Sequence, residues 1–206
     1  MGDWEVITKG NRKKLKSHKV KTACNPPKIF LSSFIDRIAT AKSSMLRSDF
    51  IQQFSYALNS HKVQIIGIGL GNFSSSLYPC TQQALFEALS QEIGNGESEL
   101  YDPAYSDDEI LYLNSLGVKV NEGEFIRERN NFPLYIMIHC HFSLYELLLS
   151  QNWIQNKSFA IYGNPISSTH AKFSSETAIE LSKNSRSITI NTQDLAFNDT
   201  ELSIFN

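Results

Sequence analysis

Cysteine is scarce in this chain: 206 residues hold three, Cys24, Cys80 and Cys140, an odd number with no CxxC spacing. That excludes a disulfide framework and a zinc ribbon, and it fits a reducing compartment. Long apolar runs are missing as well, since none reaches the roughly 18 residues that a membrane span needs. The start, Met1-Gly2-Asp3-Trp4-Glu5, lacks the basic and then apolar order of a signal peptide. The expectation is a soluble, intracellular protein, cytoplasmic, nuclear or both, with no membrane partner. Ser74 to Ser76 follow glycines but lack the Gly-x-Ser-x-Gly frame, so no nucleophile elbow is present. Internal repeats and low-complexity tracts are absent too.

Excess charge of one sign is also lacking, with a net of -2, but the charge is unevenly spread. Residues 1–21 carry seven of the 19 Lys+Arg against two acids, which leaves 12 basic and 19 acidic residues, a net of -7, for the rest. The basic stretch reads either as a solvated arm or as a contact for nucleic acid, a nuclear-import receptor or an acidic partner. The acidic remainder argues against a nucleic-acid surface on the body itself. Asn25-Pro26-Pro27 closes the stretch, so the chain divides into a basic tail, 1–27, and one α/β domain, 28–206.

What the sequence does have is centred on Val63-Gln64-Ile65-Ile66-Gly67-Ile68-Gly69-Leu70-Gly71-Asn72-Phe73. A short β-branched run passes into three glycines at alternate positions and then into a helical pattern. Strand, glycine turn and helix in that order open a doubly wound nucleotide-binding fold. Two amphipathic helices precede it, with Leu31, Phe34, Ile35 and Ile38 on one face of the first and Phe50, Ile51, Phe54 and Leu58 on the second. After it come a helix over about 79–93, a short second strand reaching Tyr101, and a capping box at Ser106-Asp107-Asp108-Glu109. Strands are predicted at 118–120, 134–138, 158–162 and 187–190, with helices around 144–153 and 174–183 and a last strand near the end. The fold class is α/β, a doubly wound, mostly parallel, Rossmann-like sheet with two N-terminal helices.

In a parallel sheet the residues just after each strand gather along one rim, where such folds bind ligands. That rim collects Gly67, Gly69, Gly71 and Asn72, then Asp102, then His139 and His141, then Gly163 and Asn164. The Gly-x-Gly-x-Gly run resembles an adenosylmethionine loop without its usual acidic residue, or else is a structural tight turn. Asp102 stands where a carboxylate accepts two hydrogen bonds from ribose hydroxyls, or else caps the turn before Pro103. Asn72, Ser75 and Ser76 either contact a bound anion or satisfy nearby backbone. If the strand continues past residue 138, His139 and His141 share one face and Cys140 points away. Such a pair can chelate a metal or a haem, act as general acid or base, or be a hydrogen-bonded structural pair. Asp102 or Glu146 would be the third metal ligand.

These residues together resemble a known family. Gly67 to Phe73, Tyr101-Asp102-Pro103 with Glu109, Leu116-Gly117, His139-Cys140 with Leu144-Tyr145, Asn152-Trp153 and Gly163-Asn164 are similar to the "sensitivity to red light reduced" family. Trp4-Glu5-Val6 and Phe197-Asn198-Asp199-Thr200 extend the likeness over nearly the whole chain, while Ile138 replaces a proline common in the family. The resemblance implies a regulator more than a defined enzyme: circadian-clock and light signalling in plants, haem biosynthesis and cytoskeletal stability in animals and fungi. The first expectation is therefore a regulatory protein whose rim binds a small molecule or a protein partner. The alternatives are a methyltransferase-like enzyme using adenosylmethionine and a haem or metal sensor using His139, Cys140 or His141.

Overall fold

The computed structural model describes residues 28–59, 63–121, 126–129, 131–151, 154–155, 157–166 and 172–206. The basic tail 1–27, Asn152-Trp153 and the side chain of Leu31 lie outside the described residues. The elements are α1 (Lys28–Arg47), α2 (Phe50–Ala57), β1 (Val63–Ile68), α3 (Leu77–Glu92), β2 (Gly94–Tyr101), α4 (Asp107–Ser115) and β3 (Lys119–Val120). They continue as β4 (Pro133–Met137), α5 (Phe142–Leu149), β5 (Phe159–Gly163), α6 (Glu176–Asn184), β6 (Arg186–Ile188) and β7 (Glu201–Phe205). Among the described residues no helix is long and apolar enough to cross a membrane.

All six residues of β1 are buried, and the strand sits between β2 and β4, parallel to both. A strand covered on both faces needs a near-continuous apolar run, and Val63 to Ile68 supplies one broken only by Gln64, whose amide donates to Glu99 Oε1 at 3.5 Å. The sheet runs β3-β2-β1-β4-β5-β7-β6, so the order reverses at β1, where the chain crosses from one half to the other. β7 runs antiparallel to both β5 and β6, so the sheet is mostly parallel, as expected, with its exception at the last strand. β2 is also longer than its sequence pattern suggests. It starts at Gly94, where a side chain would strike the Ser90 backbone, so α3 passes into the strand with no loop.

The two sheet faces carry separate cores. Ile65, Leu100, Leu134 and Ile136 pack with α2, α3 and α4 on one face; Ile66, Tyr135, Met137 and Ile161 pack with α5 and α6 on the other. Ten consecutive residues of α3, Cys80 to Leu89, are buried because α1 lies over the helix surface that would otherwise meet water. Polar residues on that outer side pair with one another: Gln83 Nε2 and Tyr112 Oη both donate to Glu87 Oε1, and Lys42 lies 3.8 Å from Glu87. α2 reaches the sheet directly, with Phe54 edge-on to Tyr162 and Phe50 stacked on Phe197.

Between β3 and β4 the described residues form no helix, and the face of β2 and β1 there is covered by charge instead. Glu99 of β2, 7% exposed, takes Arg129 Nη1 at 2.9 Å, Tyr101 Oη at 2.8 Å, Asn121 Nδ2 at 3.3 Å and an ion pair from Arg127. Burial pushes the Glu99 carboxyl up, but the Tyr101 and Arg129 hydrogen bonds and the two guanidinium charges outweigh burial and hold it below its ordinary value.

Two predictions follow from this packing. Phe54→Ala should cost about 3–5 kcal/mol in urea unfolding while Tyr56→Ala, on the exposed side of the same helix, stays within about 0.5 kcal/mol. For Glu99 the folded value is depressed, so its stabilisation is complete above the ordinary glutamate range and is lost as pH falls through the lowered folded value. Glu99→Gln should therefore lower stability at neutral pH, by about 3–5 kcal/mol for a broken buried pair, and flatten the acid limb of a stability-against-pH curve.

Candidate functional site

The rim is built outward from β1. After Ile68 the backbone turns left-handed twice, at Gly69 (φ +64°) and Gly71 (φ +82°), which glycine adopts without the strain a Cβ would bring. Gly69 N–H donates to Tyr101 O at 2.9 Å and Gly71 N–H to Asp102 Oδ2 at 2.6 Å. The other Asp102 oxygen accepts Ala104 N–H at 2.7 Å across Pro103. Asp102 thus caps its own turn and also braces the glycine loop.

Glu109 fixes the same loop from the next helix. It is fully buried; Oε1 accepts Ser74 N–H at 2.7 Å, while Oε2 accepts Ser106 N–H at 2.7 Å and Ser106 Oγ at 2.9 Å. The capping box expected at Ser106 and Glu109 is present. Its glutamate does more than cap, because the second oxygen crosses to the loop after β1. Asn72 turns inward on its own loop, accepting Ser75 N–H at 3.0 Å and Ser74 Oγ at 3.1 Å. Ser76 precedes α3 without a side-chain cap bond, which leaves the first-turn N–H groups of Leu77 and Tyr78 without an internal acceptor.

The second half of the rim is tied by Asn164. Its Oδ1 accepts His139 N–H and its Nδ2 donates to Cys140 O, both at 2.9 Å. Asn164 N–H donates to Tyr145 Oη at 2.9 Å, and that hydroxyl donates to Met137 O. Cys140 Sγ, buried, donates to Ile68 O at 3.2 Å, which links the end of β4 to the end of β1. Burial, followed by the nearby Asp102 charge, pushes the Cys140 thiol up to about 12, so it stays protonated near neutral pH.

Several expectations change here. β4 ends at Met137, and His139 sits in the left-handed region at φ +55°, so His139 and His141 do not share a strand face. His141 is the N-cap of α5, and its Nδ1 accepts Ser143 N–H at 3.4 Å. Glu146, a candidate third ligand, accepts Ser174 Oγ and Ser175 N–H, each at 2.8 Å, instead. Among the described residues no group of three His, Cys, Asp or Glu could hold a metal ion. Gly67 and Gly163 lie beneath the rim: a Cβ at Gly67 would strike Leu100, and one at Gly163 would strike Tyr145 and Met137. Their absence of a side chain serves packing.

The structure therefore brings Gly69, Gly71, Asn72, Asp102, His139, His141 and Asn164 to one rim and leaves Gly67 and Gly163 under it. Both imidazoles are exposed there. Glu109 and Tyr145, which position these loops, were not among the expected site residues. The capping-box spacing marks Glu109, whereas nothing in the sequence marks Tyr145 as a link to Asn164. Asn164→Ala should lower stability by about 1–3 kcal/mol in denaturant unfolding, since His139 N–H and Cys140 O lose their partner together.

The Arabidopsis thaliana "Protein SENSITIVITY TO RED LIGHT REDUCED 1" is 29% identical over 143 residues, covering 66% of this chain and 49% of that protein. The chain thus spans about half the length of the curated relative it matches. Among solved structures, a mutant of MtNAS in complex with S-adenosylmethionine is similar at a TM-score of 0.46 and 12% identity, over 86% of this chain and 75% of that one. The plantazolicin methyltransferase BpumL with SAH gives 0.41 and 14%, over 88% and 92%. The model of the SRR1 domain matches residues 37–204, from within α1 into β7, and the chain belongs to the SRR1 domain family.

Proposed function

We propose that this chain is an intracellular regulatory protein of light or circadian signalling, or of haem biosynthesis, that works by binding a protein partner or small molecule at the rim. Membership of the SRR1 family and a relative named for red-light sensitivity support the signalling role. The observation that carries the site is the state of the rim's polar groups. Asp102, Asn164 and Cys140 are bonded into the scaffold, while the His139 and His141 side chains are exposed on it. A non-glycine residue at φ +55° costs on the order of 1 kcal/mol and persists where its surroundings impose it, as Asn164 does here. Strain held in place at an exposed histidine fits a contact residue. Deletion of the basic segment 1–27 would change localisation if it is an address and leave it unchanged if it only solubilises the chain.

A second reading, adenosylmethionine binding, is supported by Asp102 at the end of β2 beside the glycine loop. Each of its oxygens accepts one backbone N–H and keeps a lone pair for a ribose hydroxyl. Asp102 and the Gly69 to Gly71 backbone would hold that ligand, which supplies a transferable methyl group when bound.

His139→Gly separates folding from function. It relieves the left-handed strain, so stability should rise by about 0.5–1 kcal/mol, while restoration of light-dependent or rhythmic output in cells lacking the chain should fall. Full restoration by the folded variant would end the rim reading. For the second reading, adenosylmethionine at about a hundred times its Kd should stabilise by about 2.7 kcal/mol, and Asp102→Asn should abolish the gain. No change in Tm with the intact chain would remove it.

A further inference from the structure

At the end of the sheet away from the rim, the charged cover over β2 and β1 borders a cleft of about 490 Å³, lined by Glu97, Glu99, Lys119, Arg127, Arg129 and Asn131 among others. A smaller cleft of about 220 Å³ adjoins it, sharing Arg129 and Asn131 and adding Lys157. Neither includes a residue of the glycine loop or of the 139–141 turn.

The charge balance here is specific. Glu99 is already saturated by Arg129, Arg127, Tyr101 and Asn121, and Glu128 is paired with Lys157 at 3.0 Å. Among the described residues Glu97 accepts only Asn131 Nδ2, at 3.5 Å. Lys119 is exposed and makes no ion pair among the described residues, and Arg127 keeps nearly half its side chain exposed. Across both clefts four cations therefore face three carboxylates, Glu97, Glu99 and Glu128.

Within this cluster Arg129 is only 6% exposed, and its Nε–H has no hydrogen-bond partner among the described residues. The Nε and Nη2 edge of its guanidinium holds just one long bond, 3.3 Å to Tyr101 Oη. The Tyr135 hydroxyl, fully buried beside that guanidinium, has no partner of good geometry either. A buried donor without an acceptor is costly, and a guanidinium edge matches the paired oxygens of a carboxylate or phosphate. Cavities of this size hold small molecules.

We propose that this cleft binds a small molecule through a phosphate or carboxylate group, held by Arg127 and Lys119 at the mouth, with the under-bonded guanidinium of Arg129 in its lining. It is a second site, independent of the rim. The sequence gives no sign of it, because its cations come from β3 and from the irregular crossover before β4.

The test reads Arg129 directly. In the 15N-labelled full chain its Nε–H resonance, assigned with Arg129→Lys, is followed during titration with inorganic phosphate, acetate and chloride at matched ionic strength. Saturable movement with phosphate alone assigns a phosphate-bearing ligand, with acetate alone a carboxylate-bearing one, and chloride should have no effect. The double variant Lys119→Gln/Arg127→Gln retains the Arg129 to Glu99 pair and should fold, and its midpoint should weaken by about tenfold or more, as expected when charge-assisted bonds are lost. No saturable movement with either anion, movement equal to that with chloride, or an unchanged midpoint in the double variant would overturn the proposal.

Discussion

Two carboxylates on the second βα unit hold the loop of the first, and the rest of the rim depends on them. A glycine turn that bends left-handed twice directs the N–H groups of Gly71 and Ser74 away from any strand or helix partner, so those donors need acceptors from elsewhere. Asp102 takes the donor of Gly71 and Glu109 that of Ser74. Charge-assisted bonds of this kind are stronger than neutral ones, and a buried carboxylate is tolerated only when its lone pairs are used. Loop and acids therefore need each other. From this fixed start the rim extends through Cys140, bonded to Ile68 O, and Asn164, bonded on both sides of the 139–141 turn.

The same molecule solves the opposite end of the sheet differently. Where a helix would cover the face of β2 and β1, arginines from the crossover meet Glu99 and Tyr101. An apolar cover would be satisfied by contact alone. A charged one must balance every donor and acceptor, and Arg129 Nε and Tyr135 Oη remain unbalanced. The rim is a closed network with exposed rings on it, and the charged cover is an under-bonded one.

β2 joins the charged cover to the rim: Glu99 lies three residues before Asp102, and the strand leads through Tyr101 into Asp102. Tyr101 contributes to both, its carbonyl accepting Gly69 N–H and its hydroxyl contacting Glu99 and Arg129.

Much of the fold was legible because it rests on local patterns. The β-branched run ending in Gly69 and Gly71 marks the central strand and its turn. The Ser106 to Glu109 spacing marks the start of α4, and the family likeness follows from residues read in order. Those features depend on neighbours within a few positions, which a sequence displays. What the chain could not display is which distant group meets which. Gly67 and Gly163 look like site glycines but are packing glycines, since only the fold sets Leu100 and Tyr145 against them. His139 and His141 look like a strand pair until Asn164, 25 residues on from His139, fixes the turn that separates them. The sequence by itself determined the strands, the helices and the rim on which the polar residues gather. Only the tertiary structure decided which of those residues are spent on holding the rim together and which are left exposed on it, because a hydrogen bond between distant loops exists only after the sheet has brought their ends together.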